Sequence, residues 1–412
     1  MTDWKTYKLR RVTQLFTDKI DDTNLKYVGL ENVEAQTGKH IETAKVEIES
    51  VALSFQQGDV LFGKLRPYLA KCFIPTFNGI CSSEFLVLRG EKVLNLFLQY
   101  FLLSPESIDR INSSTYGAKM PRANWDFIGN MEITLPPLST QQKITTYLDQ
   151  KTATIDTLIS DKESLLTLLA EERQAIISEA VTKGLDRTAE MKDSGVEWIG
   201  EIPVGWEVEK FKHNFSTRTG ISITKAEFVK QGIPCLNYGD IHSRYKFDLD
   251  IERDVLKKAP SNLLESKKSS LLAEDDFVFC DTSEDLDGCG NCLYVKNTAN
   301  MDVFGGSHTT IARPINEFSS RYVAYQFSTA YWRRQVRNSV SGVKVFSITQ
   351  AILNSTGIIF PPLETQHQIV QYLDEKTSKI DQIVLDTKEQ IKLLKEYRQS
   401  LISEVVTGKV EI

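Results

Sequence analysis

The sequence has few of the residues on which disulfide frameworks, metal sites and catalytic triads depend. It contains six cysteines and five histidines among 412 residues. So few cysteines in so long a chain do not indicate a disulfide-stapled domain. No apolar run approaches the roughly 18 residues that a membrane span requires, and the segment after Met1 lacks the apolar stretch of a secretory signal. We therefore expect a cytoplasmic protein with no membrane association.

The excess of basic charge that is typical of nucleic-acid-binding proteins is also missing. The formal net charge is −6. The acidity is uneven, because residues 1–134 and 205–359 are close to neutral and the surplus acid lies in 135–204 and 360–412. A neutral domain can still present one basic face, so the composition permits DNA binding without indicating it.

Motifs of the common catalytic sites are incomplete. Residues 58–64, GDVLFGK, match the start of a phosphate-binding loop, but Leu65 stands where a Mg²⁺-ligating hydroxyl is needed. The two Pro-Pro sequences, at 135–138 and 360–363, lack the polar residue before the prolines that would hold the amino group of a flipped adenine. We also find no Gly-rich cofactor loop, no carboxylate nuclease cluster and no histidine triad. We therefore expect no catalytic residues and no cofactor bound by this chain.

A group of cysteines leaves one enzymatic alternative open. Cys289-Gly-Asn-Cys292, with Cys280 upstream, could bind zinc or take part in redox chemistry. A closed zinc site needs a second ligand pair at suitable spacing, and Cys235 and His308 are distant in sequence. We therefore expect no metal site, and elemental analysis for zinc tests this expectation.

The strongest signal is an internal duplication. Residues 136–182 and 361–407 align without a gap at a constant offset of 225 positions, and about half of the aligned residues are identical. Each copy begins with Pro-Pro-Leu, has no internal Gly or Pro and repeats apolar residues at helical, nearly heptad spacing. At 1.5 Å per residue, each predicts a helix of roughly 60 Å. Unrelated helices would not share identity over such a length, so the chain contains a repeat.

The apolar stripe of each helix needs a partner, and the simplest one is the other helix. The alternative is that each helix packs on its own domain. The residues predicted to form the helix and subunit interface are Ile144, Leu148, Ile155, Leu169, Ile369, Leu373, Ile380 and Leu394.

The repeat extends into the two blocks that precede the helices. Gly117 aligns with Gly342, Tyr100 with Tyr325, and Trp4 with Trp206 at a shorter offset. Each block mixes β-rich and helical patterns. The segments predicted as strands are Val60–Phe62, Phe85–Leu88, Phe277–Phe279 and Ile358–Phe360. The segments predicted as helices are Leu94–Leu103 and Arg321–Asn338.

The order of these elements resembles the specificity subunits of type I restriction–modification systems over nearly the whole chain. The resemblance rests on GDVLF at 58–62, the Gly-x-Lys loops at 117–119 and 342–344, the duplicated PPLxxQ helix start, and MKDSGVEWIGEIPVGW at 191–206. It implies an α+β fold in which two α/β target recognition domains are separated by two long antiparallel helices forming a coiled coil, with pseudo-twofold symmetry. The implied divisions are recognition domains at 1–134 and 206–359, helical conserved regions at 135–185 and 360–412, and a connector at 186–205 that we expect to be a loop.

The resemblance also implies what the chain binds. Its partners would be double-stranded DNA, two methyltransferase subunits that bring S-adenosylmethionine, and motor–nuclease subunits that bring ATP and Mg²⁺. The chain itself would be non-catalytic. Since the helices would run in opposite directions, the two domains would read two dissimilar half-sites at a spacing that the helices fix.

The main candidates for DNA contacts are the aligned loops at 114–124 and 339–349, which share a frame and differ at their tips. Lysine can reach a phosphate, and arginine or asparagine can read a purine edge. A domain-to-helix hinge rich in small residues is the alternative. The candidate DNA-binding residues are Lys64, Arg66, Lys119, Arg122, Asn124, Arg244, His308, Arg333, Arg337, Lys344 and Ser347.

A protein-binding coiled-coil scaffold without DNA recognition is the main alternative for the whole chain. DNA binding through phosphates depends steeply on salt concentration, whereas a scaffold has no such dependence. The salt dependence of duplex binding therefore separates the two hypotheses.

Overall fold

The computed structural model describes most of the chain, namely residues 3–20, 25–42, 52–117, 119–342 and 345–412. Its contacts divide the chain into two compact units. Unit 1 comprises Met1–Leu165 and Asp386–Ile412, and unit 2 comprises Leu166–Leu385. Each unit contains one mixed α/β domain, called domain 1 or domain 2, together with parts of two long helices.

Domain 1 is built from short strands and short helices. Its strands are β1 (Lys5–Lys8), β2 (Thr13–Phe16), β3 (Lys19–Ile20), β4 (Tyr27–Val28), β5 (Ala52–Phe55), β6 (Val60–Gly63), β7 (Cys72–Phe73), β8 (Gly79–Ser82), β9 (Phe85–Gly90) and β10 (Glu132–Leu135). Its helices are α1 (Asn95–Leu103), α2 (Pro105–Ser113) and α3 (Trp125–Ile128), and they precede the long helix α4 (Leu138–Lys183). The predicted strands at 60–62 and 85–88 and the helix at 94–103 are confirmed.

The strands of domain 1 pair mostly antiparallel. One sheet has the order β2-β9-β6-β7, a second has β3-β5-β8-β4 with β4 parallel to β8, and β1 pairs with β10. Strand β6 is buried along its whole length. Its Leu61 packs in one core with Val28, Phe85 and Val87. Apolar burial on this scale is what holds such short strands together.

Domain 2 follows a short hairpin, β11 (Met191–Asp193) and β12 (Glu201–Pro203). Its strands are β13 (Glu207–Lys210), β14 (Phe215–Thr219), β15 (Ile233–Leu236), β16 (Asp248–Asp250), β17 (Lys257–Ala259), β18 (Phe277–Cys280), β19 (Thr282–Ser283), β20 (Cys292–Asn297), β21 (Phe304–Gly305), β22 (Thr309–Pro314), β23 (Phe346–Ser347) and β24 (Gly357–Phe360). Its helices are α5 (Phe211–Asn214), α6 (Tyr238–Ser243), α7 (Ser320–Phe327), α8 (Ala330–Arg337) and α9 (Gln350–Ser355), followed by the long helix α10 (Leu363–Val406).

The sheets of domain 2 repeat the plan of domain 1. The main sheet has the order β14-β22-β18-β20-β16, a second has β17-β15-β21, and β13 pairs with β24 as β1 does with β10. Aromatic rings fill the core beside the main sheet, where Phe327 lies 4.4 Å from Trp332 and 5.1 Å from Phe277 between ring centroids. The predicted strands at 277–279 and 358–360 are confirmed.

Two local expectations from the sequence were wrong. The connector is not a plain loop, because Met191 pairs with Pro203 in the β11–β12 hairpin. The predicted helix at 321–338 is two helices, since α7 ends at Phe327 and the Thr329 side chain accepts a hydrogen bond from Trp332 N as the cap of α8. A Thr or Ser side chain competes with helical hydrogen bonding in this way.

The long helices begin and end at signals that the sequence carries. Helix α4 has 46 residues and α10 has 44, which gives each a length of roughly 65–70 Å. Leu135 is the last residue of β10, so α4 begins three residues after the predicted boundary, beyond the two prolines. Gly184 and Gly408 follow the helices with φ of +75° and +71°, the left-handed conformation of a C-terminal cap.

A tryptophan covers each of these glycines. A Cβ atom at Gly184 would lie 3.0 Å from Trp206 Cζ2, and one at Gly408 would lie 3.1 Å from Trp4 Cη2. The glycine is therefore required twice over, for its backbone conformation and for the close approach of the ring. The Trp4/Trp206 match noticed in the sequence corresponds to this repeated contact.

Within each unit, the two long helices run antiparallel. In unit 1, Asp156 of α4 faces Arg398 of α10 at 2.9 Å, while Lys162 Nζ donates to Gln390 Oε1 at 2.6 Å, so numbers rise along one helix as they fall along the other. In unit 2, Arg173 pairs with Asp381 at 3.2 Å, while Ile177, farther along α4, shares a core with Ile369 and Leu373, which lie earlier in α10. These two ion pairs are equivalent under the 225-residue offset.

A buried glutamine joins each long helix to its domain. Gln141 Oε1 accepts from Leu94 N at 2.9 Å, and its Nε2 donates to Pro136 O at 2.9 Å. Its counterpart Gln366 accepts from Ser319 N and donates to Pro361 O, at 2.9 Å in both cases. The glutamine of PPLxxQ therefore satisfies backbone groups that would otherwise lack partners at this junction.

The predicted interface residues lie on the inner faces of the helices. Leu394 is half-buried and the others are buried. Ile369 and Leu373 share the core of domain 2 with Ile177 and Val181 of α4. In unit 2 the helices therefore pack on the domain as well as pairing with one another through Arg173 and Asp381.

Candidate nucleic-acid interface

A short backbone ladder lies where the sequence placed the loops of domain 1. Ala123 N donates to Lys64 O at 2.9 Å, and Arg66 N donates to Pro121 O at 2.7 Å. Lys64 N donates to Glu84 O at 2.9 Å. The segment 64–66 and the segment 121–123 are thus held side by side, which brings Lys64, Arg66 and Arg122 to one place.

Domain 2 contains the same ladder. Thr282 pairs with Ser347, and Ile348 N donates to Asp281 O at 2.8 Å. Asp281 N donates to His308 O at 3.1 Å. We call these two arrangements the duplicated ladder. Its pairing places Asp281 at the position of Lys64, Ser347 at that of Arg122 and His308 at that of Glu84.

The two copies of the duplicated ladder carry different charges. In domain 1, Arg122 forms an ion pair with Glu84 at 3.0 Å. In domain 2, His308 Nδ1 lies 3.3 Å from Asp281 Oδ1, and His308 has a left-handed backbone with φ of +58°. Because the backbone frame is common and the side chains are not, the two surfaces present different patterns of donors and acceptors.

Exposed cations and rings surround the ladder of domain 1. Arg66 is exposed in a left-handed conformation with φ of +51°, and Lys119 is exposed. Tyr116 and Tyr68 are large apolar side chains that remain 60 % and 48 % exposed. A surface of this composition can bind phosphates through its cations and stack or pack through its rings.

A cavity of about 750 Å³ opens beside the ladder of domain 2. Its lining includes Tyr238, His242, Asn291, His308 and Arg333. His242 Nε2 lies 3.0 Å from Thr282 O and its Nδ1 lies 3.1 Å from Asn291 Nδ2, contacts in which Nε2 donates and Nδ1 accepts.

Arg333 is unusual among the residues lining this cavity. Its Nε is buried and has no hydrogen-bond partner among the residues that the structure describes. Burial lowers its pKa. A buried, unpaired N–H of a guanidinium favours an anion as its missing partner.

The other candidate residues have structural partners. Asn124 caps α3 by accepting from Phe127 N at 2.9 Å. Arg244 lies 3.7 Å from Asp240, and Arg337 donates to Asp287 O at 2.9 Å. Lys344 lies outside the described residues.

Sequence reasoning missed Glu84 and Asp281, the two carboxylates of the duplicated ladder. The extra residues in the first half of domain 2 hid the match between Lys64 and Asp281, because no constant offset joins them.

The rejected catalytic motifs have ordinary structural roles. Residues 60–63 of the phosphate-loop-like sequence form β6, whose Leu61 pairs with Val87 and Phe73. Across the described part of the chain, no group of three or more His, Cys, Asp or Glu side chains is arranged to hold a metal ion. Cys280 and Cys289 are buried and Cys292 is half-buried, and burial raises the pKa of all three thiols, which favours their protonated, less reactive form.

Comparison with known families decides the assignment. The model of the type I restriction modification DNA specificity domain matches residues 1–167 and 203–393. The chain belongs to this family. The repeat recognised in the sequence is the repeat that the family model matches twice, and the α+β class with two domains and two long helices is confirmed.

Relatives in this family resemble the chain over most of its length. The MjaVIII specificity subunit of Methanocaldococcus jannaschii is 22 % identical over 343 residues, which cover 81 % of this chain and 75 % of that protein. The EcoKI specificity subunit of Escherichia coli strain K12 is 23 % identical over 416 residues, covering 98 % and 82 %.

Solved structures share the fold. A structure that describes the complex assembly and conformational transition of the type I restriction–modification system superposes with a TM-score of 0.76 at 18 % identity, covering 99 % of this chain and 98 % of the other. The HsdS subunit from Thermoanaerobacter tengcongensis gives a TM-score of 0.55 at 19 % identity, covering 99 % and 97 %. Within the described residues, no helix is both long and apolar enough to cross a membrane.

Proposed function

We propose that this member of the specificity family reads a bipartite, asymmetric DNA sequence, one half-site with each domain. The observation that carries the proposal is the duplicated ladder. It repeats one backbone frame but places Lys64 and Arg122 in domain 1 where domain 2 has Asp281 and Ser347. Two domains that share a backbone arrangement but carry different hydrogen-bond donors and acceptors are suited to binding two different DNA sequences.

The spacing of the half-sites is proposed to come from the long helices. The antiparallel ion pairs Asp156–Arg398 and Arg173–Asp381 support a rigid pair of helices in each unit. Helices without internal Gly or Pro resist bending. In this proposal they act as a ruler between the two reading domains.

The partners are proposed to be two copies of a methyltransferase subunit, with motor–nuclease subunits added for cleavage. The helices expose apolar side chains at repeat-related positions, Leu158 with Ile383 and Leu168 with Leu393, which are 44 %, 46 %, 60 % and 52 % exposed. Exposed apolar groups on otherwise polar helices mark contact surfaces. A surface that is duplicated suits two copies of one partner, which would supply S-adenosylmethionine, while ATP and Mg²⁺ would enter with the motor. The chain itself then contributes recognition and no catalysis.

The ruler is tested by lengthening both helices. Whole heptads are inserted after Leu166 and after Ile391, and methylated adenines are mapped in cells that express the chain with its methyltransferase. We expect both half-sites to be unchanged and the spacer between them to lengthen. A seven-residue insertion at the exposed Gly195, in the hairpin turn, is the matched control and should leave the spacer as it was. An unaltered spacer after the double helical insertion contradicts the ruler.

The proposal that each domain recognises one half-site is tested by domain exchange. When residues 1–134 are replaced with the corresponding domain of another family member, only one half of the methylated sequence should change. The scaffold alternative predicts no change in methylation specificity and no steep salt dependence of duplex binding.

A further inference from the structure

Arg122 and Glu84 form an oriented pair at the duplicated ladder of domain 1. Arg122 Nε donates to Glu84 Oε1 and Oε2, each at 3.1 Å, and Nη2 donates to Oε1 at 3.0 Å. These bonds occupy the Nε–Nη2 edge of the guanidinium. No acceptor among the described residues binds Nη1, so the Nη1–Nη2 edge is free.

The pair is fixed before any ligand arrives. Arg122 N donates to Tyr116 O at 3.0 Å and Tyr116 N donates to Arg122 O at 3.1 Å. The Arg122 side chain is nevertheless 35 % exposed, against 19 % for Glu84. Hydrogen bonding to Glu84 raises the pKa of Arg122, which stays fully charged. Less side-chain entropy is then lost when the free edge meets a partner.

We propose that Arg122, held in place by Glu84, binds a guanine in the major groove of the half-site contacted by domain 1. This inference rests on the proposed function. Guanine presents two adjacent acceptors, O6 and N7, which match two parallel N–H groups of the guanidinium. Adenine offers N7 beside an amino donor, so only one of the two hydrogen bonds can form.

The neighbouring groups suit an approach by duplex DNA. Arg66, whose backbone nitrogen bonds Pro121 next to Arg122, and Lys119 are exposed cations that can bind phosphates. Phosphate contacts set the register, and the base contact of Arg122 supplies the sequence preference. Glu84 is thus a positioning residue that acts through Arg122.

The duplicated ladder of domain 2 has no counterpart of the Arg122–Glu84 pair among its described residues. Ser347 occupies the position of Arg122, and His308 occupies that of Glu84. A guanine that depends on Arg122 therefore belongs to one half-site only, so the proposal specifies which half of the target a variant changes.

The test measures base preference at single positions. Methylated adenines are mapped in cells that express the chain with its methyltransferase, for the wild type and for Arg122→Lys and Glu84→Gln. Lysine keeps the positive charge but cannot donate two parallel hydrogen bonds as arginine does. We expect discrimination in favour of guanine at one position of one half-site to fall on the order of 10- to 100-fold with Arg122→Lys, and to fall less with Glu84→Gln. The other half-site should be unchanged.

Arg110→Lys is the matched control, because Arg110 is an exposed arginine of α2 in the same domain. It should leave the target sequence intact. An equal loss of methylation at all sites with Arg122→Lys, without a change of preferred sequence, means a structural role and overturns the proposal, as does a half-site of domain 1 without any G·C pair. If the wild type methylates without sequence preference, the proposed function falls instead. Selective methylation that ignores Arg122 refutes only the guanine site.

Discussion

Arg398 and Asp156 lie 2.9 Å apart, from Nε to Oδ1, and their side chains are only 7 % and 12 % exposed. Arg398 Nη1 also donates to Gln36 O at 3.2 Å, and Lys39 Nζ lies 2.9 Å from the other carboxylate oxygen of Asp156. Unit 1 thus joins two helices and a loop of domain 1 through one buried ion pair.

The repeat offers an internal comparison for this ion pair. In the equivalent pair of unit 2, Arg173 is 23 % and Asp381 is 56 % exposed. Arg398→Met leaves a buried carboxylate with Lys39 alone and should lower the free energy of unfolding by about 3 kcal/mol. Arg173→Met should cost less than about 1 kcal/mol because water screens the exposed pair. Urea unfolding of both variants measures the difference. Equal losses in the free energy of unfolding would contradict the conclusion that the Arg398–Asp156 pair is the more buried of the two.

The buried glutamines at the helix starts should be equally important in both units. Gln141→Leu removes the partner of Leu94 N, and Gln366→Leu removes the partner of Ser319 N. An unpaired buried donor costs about 1–3 kcal/mol, so we expect a loss of that size in the free energy of unfolding for each variant. The exposed neighbour Gln142 provides the control, and Gln142→Leu should change stability by less than about 0.5 kcal/mol. A neutral Gln141→Leu variant would mean that Leu94 N is satisfied in some other way.

Arg333 should behave as a phosphate contact. If the unpaired Nε–H of Arg333 binds the DNA backbone, Arg333→Gln weakens binding to every duplex sequence alike and lowers the slope of log K against log salt by about 1. Arg334 is the exposed neighbour on α8, and Arg334→Gln controls for a general loss of charge. Titration of specific and unrelated duplexes at several salt concentrations checks this. A changed base preference with an unchanged slope would indicate a base contact instead.

Buried cysteines should be inert until the protein unfolds. Cys235 and Cys280 are buried, and burial raises the pKa of both thiols, that of Cys235 to about 12 from 9.0. At pH 8 the thiolate fraction of Cys235 is then about a thousandfold below that of a free thiol. Iodoacetamide should therefore alkylate both in urea and hardly at all in the native protein. Fast native alkylation would contradict the burial, and zinc in the purified protein would revive the metal alternative.

The same pKa shifts set a direction for stability against pH. Unfolded thiols release protons above pH 9, whereas the buried thiols hold theirs, so the unfolded state gains relative stability as pH rises. The contribution of these thiols is complete below pH 9 and declines between pH 9 and 12. Urea midpoints of Cys235→Ala and the wild type, compared from pH 8 to 10.5, should converge at the alkaline end.

The architecture of this chain was largely predictable because its signals are local or repeated. The duplicated PPLxxQ segments predicted both helices, and apolar runs such as Val60–Phe62 predicted strands. The antiparallel pairing was implied by the resemblance, and two successive contacts between the long helices show it in each unit. The helix cap at Thr329 and the β-hairpin at 191–203 were missed. A single capping residue or a short pair of strands within a polar segment leaves no periodic pattern of apolar residues in the sequence.

The candidate site was predictable only in part. The loops around Arg122 and Ser347 were aligned correctly, since a constant offset joins them. The opposing segments, at Lys64 and Asp281, could not be aligned through an insertion of about two dozen residues. Glu84 pairs with Arg122 from 38 positions away, and no spacing rule connects such residues before the sheets are formed.

Each unit contains a glycine covered by a tryptophan, but the two contacts differ in how far apart their residues lie in the sequence. Gly184 and Trp206 are joined by the connector, whereas Trp4 and Gly408 touch although almost the whole polypeptide separates them in sequence. In unit 1 the contact therefore brings the first strand of domain 1 beside the last turn of α10. A covalent link between these two segments, with a new opening within the hairpin at Gly195, is expected to keep the contacts within each unit.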